Sequence, residues 1–254
     1  MIEFKNVSLT YPNGVKALKN IDLTIQKGEF VVIVGMSGAG KSTLIKTINR
    51  LATVTEGEVL VDSENVMRLK ENRLRKLRTQ IGIIFQDYNL VGRMSAIRNV
   101  MVGRLGHTTT FKSIIGRFPQ KDLQLAMRNL ERVGIGEKAY VRADQLSGGQ
   151  KQRVSIARVL TQQPKIILAD EPVASLDPPT SHKVMRDLKR VSKEDELTTV
   201  VNLHFIDLAM EYADRIIGMR EGEIVFDGPI EEVSEKTFEE IYGRPIREEE
   251  KRGD

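Results

Sequence analysis

The sequence contains no cysteine and no tryptophan, and only 5% of its 254 residues are aromatic. Without a thiol the chain can build no disulfide framework, thiolate zinc site, iron–sulfur ligand set or cysteine nucleophile. Long apolar runs are also missing. The longest uninterrupted stretches, such as Phe30 to Val34 and Ile166 to Ala169, fall far short of the roughly 20 residues that a membrane-spanning helix needs. The first residues, Met1-Ile2-Glu3-Phe4-Lys5, lack the basic patch and apolar run of a secretory signal. Charge of one sign is scarce: 39 Lys and Arg stand against 35 Asp and Glu, a net +4, and the two signs are interleaved. That pattern argues against a nucleic-acid partner. The densest basic cluster, Arg68 to Arg78, alternates with Leu69, Leu74 and Leu77 and predicts an amphipathic surface helix. A hydrophobic share of 40% and a charged share of 29% are ordinary globular usage, sufficient for a full core.

What is present is a change of grammar along the chain. Ile2, Phe4, Val7, Leu9 and Tyr11 roughly alternate with polar residues. Pro12-Asn13-Gly14 makes a turn, and Ile21, Leu23 and Ile25 alternate again. This predicts an antiparallel, half-exposed sheet. Phe30 to Val34 is instead continuously apolar, as in a parallel strand buried on both faces. Similar runs recur at Ile81 to Phe85, Ile166 to Ala169, Thr198 to Val201 and Arg215 to Met219. Helical patterns occupy Thr43 to Leu51, Lys121 to Val133, Gln150 to Gln163 and Thr180 to Lys193. The alternation predicts an α/β core, interrupted by a mostly helical stretch over 87–163 with loop signals between Gly103 and Pro119. The almost wholly charged end, Arg247 to Asp254, is expected to fray.

Three motifs carry chemistry. Gly35-Met36-Ser37-Gly38-Ala39-Gly40-Lys41-Ser42-Thr43 follows the buried strand and opens a helix, the context a phosphate-binding loop requires. Glycines let backbone amides close on phosphate oxygens at a helix N-terminus. Lys41 is placed to reach the β and γ phosphates and Ser42 to hold Mg2+. The second motif is Ile166-Ile167-Leu168-Ala169-Asp170-Glu171, which brings two carboxylates to the C-terminal end of a buried strand, the edge where α/β sheets bind ligands. Alone, adjacent acids there read equally well as solvated turn residues. Beside a phosphate loop, Asp170 becomes the metal residue and Glu171 the group that polarises water for attack on the γ phosphate. The third, Leu146-Ser147-Gly148-Gly149-Gln150, is a helix capping box. Capping does not need its two glycines, which suit a phosphate approaching the backbone.

With these three motifs in this order, the chain resembles the ATP-binding-cassette ATPases over about residues 1 to 243. The resemblance implies a P-loop NTPase core, a mixed sheet flanked by helices, with an N-terminal antiparallel β subdomain and an inserted α-helical subdomain. It divides the cassette into a core lobe, 1–86 and 164–243, and a helical signature subdomain, 87–163, with a charged tail at 244–254. It implies ATP and Mg2+ as cofactors and assigns positions one by one. Gly35, Ser37, Gly38, Ala39, Gly40, Lys41, Ser42 and Thr43 match the phosphate contacts, and Tyr11 the aromatic that stacks on adenine. Gln86 matches the glutamine that touches magnesium and the attacking water. Ser147, Gly148, Gly149 and Gln150 match the signature of the opposing subunit, and Asp177 the loop that crosses to it. His204 matches the switch histidine at the γ phosphate, whereas His107 and His182 are expected to be surface residues.

Two departures touch the coupling between subunits: Val173-Ala174-Ser175-Leu176-Asp177 exchanges a hydroxyl and a methyl, and Phe205 stands where an acid is frequent. The runs Asp170 to Pro178, Asn202-Leu203-His204, Asn89-Leu90-Val91-Gly92-Arg93 and the segment from Gly103 through Ile114-Ile115-Gly116-Arg117-Phe118 resemble the ATPase subunits of phosphonate importers. The resemblance implies a head-to-tail homodimer around two ATP at the cytoplasmic face of the membrane. Two integral-membrane permease subunits would dock on it, and an extracytoplasmic binding protein would supply a phosphonate or another phosphorus oxyanion. Two alternatives stand beside it: an importer ATPase for a different substrate, and an ATP-gated interaction module without transport.

Overall fold

A computed structural model describes residues 1–108 and 118–247. The segment Ile114 to Arg117 and most of the charged tail therefore lie outside the described residues. The strands are β1 (Ile2–Thr10), β2 (Lys16–Ile25), β3 (Phe30–Val34), β4 (Glu56–Val61), β5 (Glu64–Asn65), β6 (Ile81–Ile84), β7 (Ile166–Asp170), β8 (Thr198–Asn202), β9 (Arg215–Arg220) and β10 (Glu223–Pro229). The helices are α1 (Lys41–Ile48), α2 (Glu71–Thr79), α3 (Ala96–Met101), α4 (Gln120–Arg132), α5 (Gly148–Thr161), α6 (Pro178–Glu194), α7 (Ile206–Tyr212) and α8 (Glu235–Tyr242).

Two sheets result. The antiparallel one has the order β2-β1-β4-β5, and the second runs β10-β9-β3-β8-β7-β6. In the second sheet the neighbours from β9 through β6 pair in parallel and β10 pairs antiparallel at one edge. The mixed sheet thus matches the expected P-loop architecture.

The uninterrupted apolar run of β3 has a plain cause. Phe30, Val32 and Val34 join the core shared with α3 to α8, while Val31 and Ile33 join the core under the antiparallel sheet, α1 and α2. Both faces of the strand are buried, so no polar alternation is tolerated. In β1 the alternation slips one place between Phe4 and Val7. There Asn6 adopts φ 48° in a bulge and donates its amide to Asp22 Oδ1 at 2.9 Å. The slip re-phases the strand so that Val7 and Leu9 stay buried.

The basic helix is α2, with Leu74 and Leu77 buried and Arg73 and Arg75 exposed. Helices α3, α4 and α5, from the stretch read as helical, pack on one another. Several boundaries differ from expectation. Helix α1 begins at Lys41 rather than Thr43 and stops at Ile48, with Arg50 at φ 54°. Strand β6 ends at Ile84, not Phe85, and β7 runs one residue further, to Asp170.

Candidate active site

The site lies at the C-terminal ends of β3, β7 and β8. The loop after β3 turns through Gly38 and Gly40, both at positive φ. At Gly40 the backbone has φ 100° and an added Cβ would sit 2.4 Å from the carbonyl oxygen of Ala17, so glycine is required there twice over. Lys41 opens α1 and folds back, donating from Nζ to the carbonyls of Gly35 at 2.6 Å and Met36 at 3.0 Å. It is 4% exposed. Burial lowers its ammonium to about 8, against the opposing pull of Glu171 and Asp170. A lysine held this way is short of an anion, and a phosphate oxygen on the loop would supply one.

The next residue points at β7. Ser42 Oγ donates to Asp170 Oδ1 at 2.7 Å. Asn202, at the end of β8, donates from Nδ2 to the same carboxylate oxygen at 2.8 Å and to Ser42 Oγ at 3.2 Å. Lys46 Nζ lies 3.9 Å from Asp170 Oδ2. A serine hydroxyl and one carboxylate side by side are hard oxygen donors, and Mg2+ needs only one or two carboxylates when phosphates and waters complete its shell. The donor set fits that ion.

Glu171 stands just past the strand at φ 51°, an uncommon backbone for a non-glycine residue and the kind of outlier that collects at functional sites. Its amide donates to the carbonyl of Asn202 at 3.2 Å. His204 Nε2 is 2.5 Å from Glu171 Oε1. With Nε2 protonated the histidine donates to the carboxylate and fixes its rotamer, leaving the other oxygen to accept a proton from water. Tyr11, 38% exposed, shares a 3.1 Å hydrogen bond between its hydroxyl and Thr43 Oγ1, which sets its ring beside the phosphate loop.

Four sequence-derived residues make no side-chain hydrogen bond or ion pair with this cluster among the described residues. Gln86 is exposed, two residues beyond the end of β6. Asp177 caps α6, accepting at Oδ2 from the amide and hydroxyl of Thr180, and these bonds lower its carboxyl below the usual range. Ser147 and Gln150 form the expected capping box with each other. Among the described residues no hydrogen bond or ion pair joins 147–150 to the phosphate loop.

The signature glycines also have a reason inside the chain. A Cβ on Gly149 would meet Thr180 Cγ2 at 2.3 Å, and one on Gly148 would meet Leu176 and Tyr88 at 3.1 Å. They let α5 pack against the start of α6. Gly149→Ala is accordingly expected to destabilise the fold by about 1–3 kcal/mol, read as a lower urea midpoint. Adding Thr180→Ser, which removes the obstructing methyl, should recover most of the loss.

Asn202 is the site residue that sequence reading did not pick out. It is fully buried, and the sequence marks it only by its place after a β-branched run and within the Asn202-Leu203-His204 run, neither of which gives it a role. His182 departs from its expected surface role: it is half-buried, with Nδ1 2.8 Å from Glu211. His107 is exposed, as expected.

Known proteins resemble this chain in sequence and in fold. Residues 18–174 match the family model described as ABC transporter. This chain belongs to the ABC transporter family. It is that family's ATP-hydrolysing type of chain, with no helix among the described residues long and apolar enough to cross a membrane. Phosphonates import ATP-binding protein PhnC 3 of Halalkalibacterium halodurans is 69% identical over 249 residues, 98% of this chain and 96% of that protein. Phosphonates import ATP-binding protein PhnC 1 of Oceanobacillus iheyensis is 66% identical over 253 residues, 100% of this chain and 98% of that protein. Among solved structures, a dimeric ATP-binding cassette in a post-hydrolysis state bound to ADP and Pi superposes with a TM-score of 0.80 at 38% identity. It covers 91% of this chain and 99% of its own. A cassette of Clostridium perfringens from the ABC transporter complex cbiONQ gives 0.81 at 32% identity, covering 93% and 92%.

Proposed function

We propose that the chain is the ATP-hydrolysing subunit of an importer for phosphonates or a closely related phosphorus oxyanion. It works as a head-to-tail pair at the cytoplasmic face of the membrane, docked on two permease chains fed by an extracytoplasmic binding protein. The observation that carries the paired arrangement is the separation within one chain. Lys41, Ser42, Asp170, Glu171 and His204 converge, while Ser147 to Gln150 stand outside their network. A second copy, turned head to tail, would present its signature helix to the nucleotide held by the first. The dimeric cassette bound to ADP and Pi supports this reading.

In each half-site, Gly35, Ser37, Gly38, Ala39, Gly40 and Thr43 wrap the phosphates, Lys41 neutralises them, and Tyr11 offers its ring to adenine. Ser42 and Asp170, with Gln86 from the neighbouring loop, would hold Mg2+, which shields the phosphate charges when bound. Glu171 takes the proton of the attacking water, and His204 keeps its carboxylate aimed. Asp177 and the signature residues Ser147, Gly148, Gly149 and Gln150 complete the partner's site. A partner that prefers the closed pair over the open one then converts binding and hydrolysis into movement.

For the permease, a cleft of about 370 Å³ is lined by Leu51, Ile83, Asn89, Val102, Arg158 and Phe85, the residue before Gln86. Leu51 and Val102 leave apolar surface exposed there, which suits a short cytoplasmic helix of a membrane protein.

The phosphorus oxyanion rests on the high identity to the two named import proteins. Its test is reconstitution of the chain with its permease and binding protein in proteoliposomes, with ATP hydrolysis measured against a panel of oxyanions. Phosphonate is expected to raise the rate several-fold, and sulfate or an amino acid to leave it flat. Stimulation by another solute alone would replace the substrate, and hydrolysis indifferent to the permease would remove transport.

A further inference from the structure

Asn202 combines features that no part of the proposed mechanism uses. It is fully buried, and its Nδ2 donates both to Ser42 Oγ and to Asp170 Oδ1, at 3.2 and 2.8 Å. Its Oδ1 is buried with no hydrogen-bond partner. Its main-chain carbonyl receives the Glu171 amide at 3.2 Å, and the chain reaches His204 two residues later. The amide orientation is set by the network: Ser42 already spends its hydroxyl proton on Asp170, so turning the amide over would set Oδ1 against a carboxylate oxygen. An unpaired buried carbonyl costs stability. An apolar side chain here would carry no unpaired carbonyl but would also lose both Nδ2 bonds, so what the asparagine adds to the site is its donor group.

We propose that Asn202 is the positioning residue for the metal pair, holding side by side the Ser42 hydroxyl and the Asp170 carboxylate that would ligate Mg2+, while its backbone sets Glu171. Partners that orient ligating groups in this way typically contribute about 10- to 100-fold to metal affinity or activity. The inference rests on the reading of Ser42 and Asp170 as the magnesium residues. The phosphates, held by Lys41 and the loop amides, do not depend on it.

The test replaces Asn202 with the nearly isosteric leucine, Asn202→Leu, in the full chain. Three quantities are measured: affinity for an imido analogue of ATP in EDTA, affinity of the analogue complex for Mn2+ by its paramagnetic signal, and the urea midpoint without nucleotide. Expected are analogue binding within twofold of the unsubstituted protein, Mn2+ affinity lower by about tenfold or more, and a midpoint little changed, because removal of the orphaned carbonyl offsets the loss of the two Nδ2 bonds. A merely structural asparagine would give the opposite pair, a lower midpoint and unchanged Mn2+ affinity. Mn2+ binding within twofold of the unsubstituted protein overturns the proposal. If the unsubstituted chain itself fails to bind Mn2+ with the analogue, the reading of the magnesium pair fails instead. Asn202→Ser, which keeps one donor near Asp170, should recover part of the Mn2+ affinity, and no recovery would count against the donor role.

Discussion

Glu171→Gln lowers the steady-state rate of ATP hydrolysis by about 10²- to 10⁴-fold, the range a positioned general base supplies, and leaves ATP binding intact. Glutamine has the shape of glutamate and keeps an oxygen for His204 to donate to, so the 2.5 Å contact and the strained backbone at φ 51° need not change. What it loses is the ability to take a proton from water. If hydrolysis opens the pair, as the proposed function has it, the variant should accumulate as an ATP-bound dimer on size exclusion. His204→Ala should also slow hydrolysis but by less, since the base remains and only its aim is relaxed. A Glu171→Gln protein that hydrolyses at the full rate would remove Glu171 as the base.

Lys41→Met lowers ATP affinity by about 10- to 1000-fold, the loss of one or two charge-assisted hydrogen bonds to phosphate, without unfolding the protein. The nucleotide-free fold should even gain. Lys41 is 4% exposed, its amine is lowered to about 8 by burial, and the unfolded value is near 10.5. The folded state binds the proton more weakly than the unfolded chain, so the charged amine penalises folding in full below pH 8. The penalty lifts as pH rises from about 8 towards 10.5, and the distance between those two values corresponds to roughly 3 kcal/mol. Urea midpoints of the nucleotide-free proteins check this directly. Lys41→Met should be at least as stable as the unsubstituted chain at pH 7, and the unsubstituted chain should gain on it between about pH 8 and 10.5. Saturating ATP, by placing oxyanions against the amine, should flatten that slope.

The fold and most of the site are legible in the sequence because the informative residues are constrained locally. A phosphate loop must have glycines where the backbone turns left-handed, and a strand buried on both faces cannot alternate, so Gly35 to Thr43 and Phe30 to Val34 are visible one residue at a time. Asn202 is invisible for the opposite reason. A single asparagine at a strand end has no spacing of its own, and its importance comes from two partners, Ser42 and Asp170, that lie 160 and 32 residues away in sequence. Strand β4 escapes notice because Glu56, Gly57 and Glu58 carry no apolar alternation, and pairing with β1 is what orders them. The glycines of the signature are legible as special but for an incomplete reason: alongside any phosphate, they make room for Thr180, Leu176 and Tyr88. Tertiary contacts of that kind leave no periodic trace.

Central to the proposed function is that ATP is shared between two copies, with Lys41 of one and Ser147 of the other on the same nucleotide. The direct measurement mixes two variants in a Glu171→Gln background, Lys41→Met in one copy and Ser147→Arg in the other, and counts ATP retained in the isolated dimer. Neither variant alone should retain ATP, because each spoils both shared sites. The mixed dimer rebuilds one site from an intact loop and an intact signature, and the predicted result is one ATP per pair of chains. No retained ATP in the mixed dimer, or full retention by the Ser147→Arg protein alone, would contradict it.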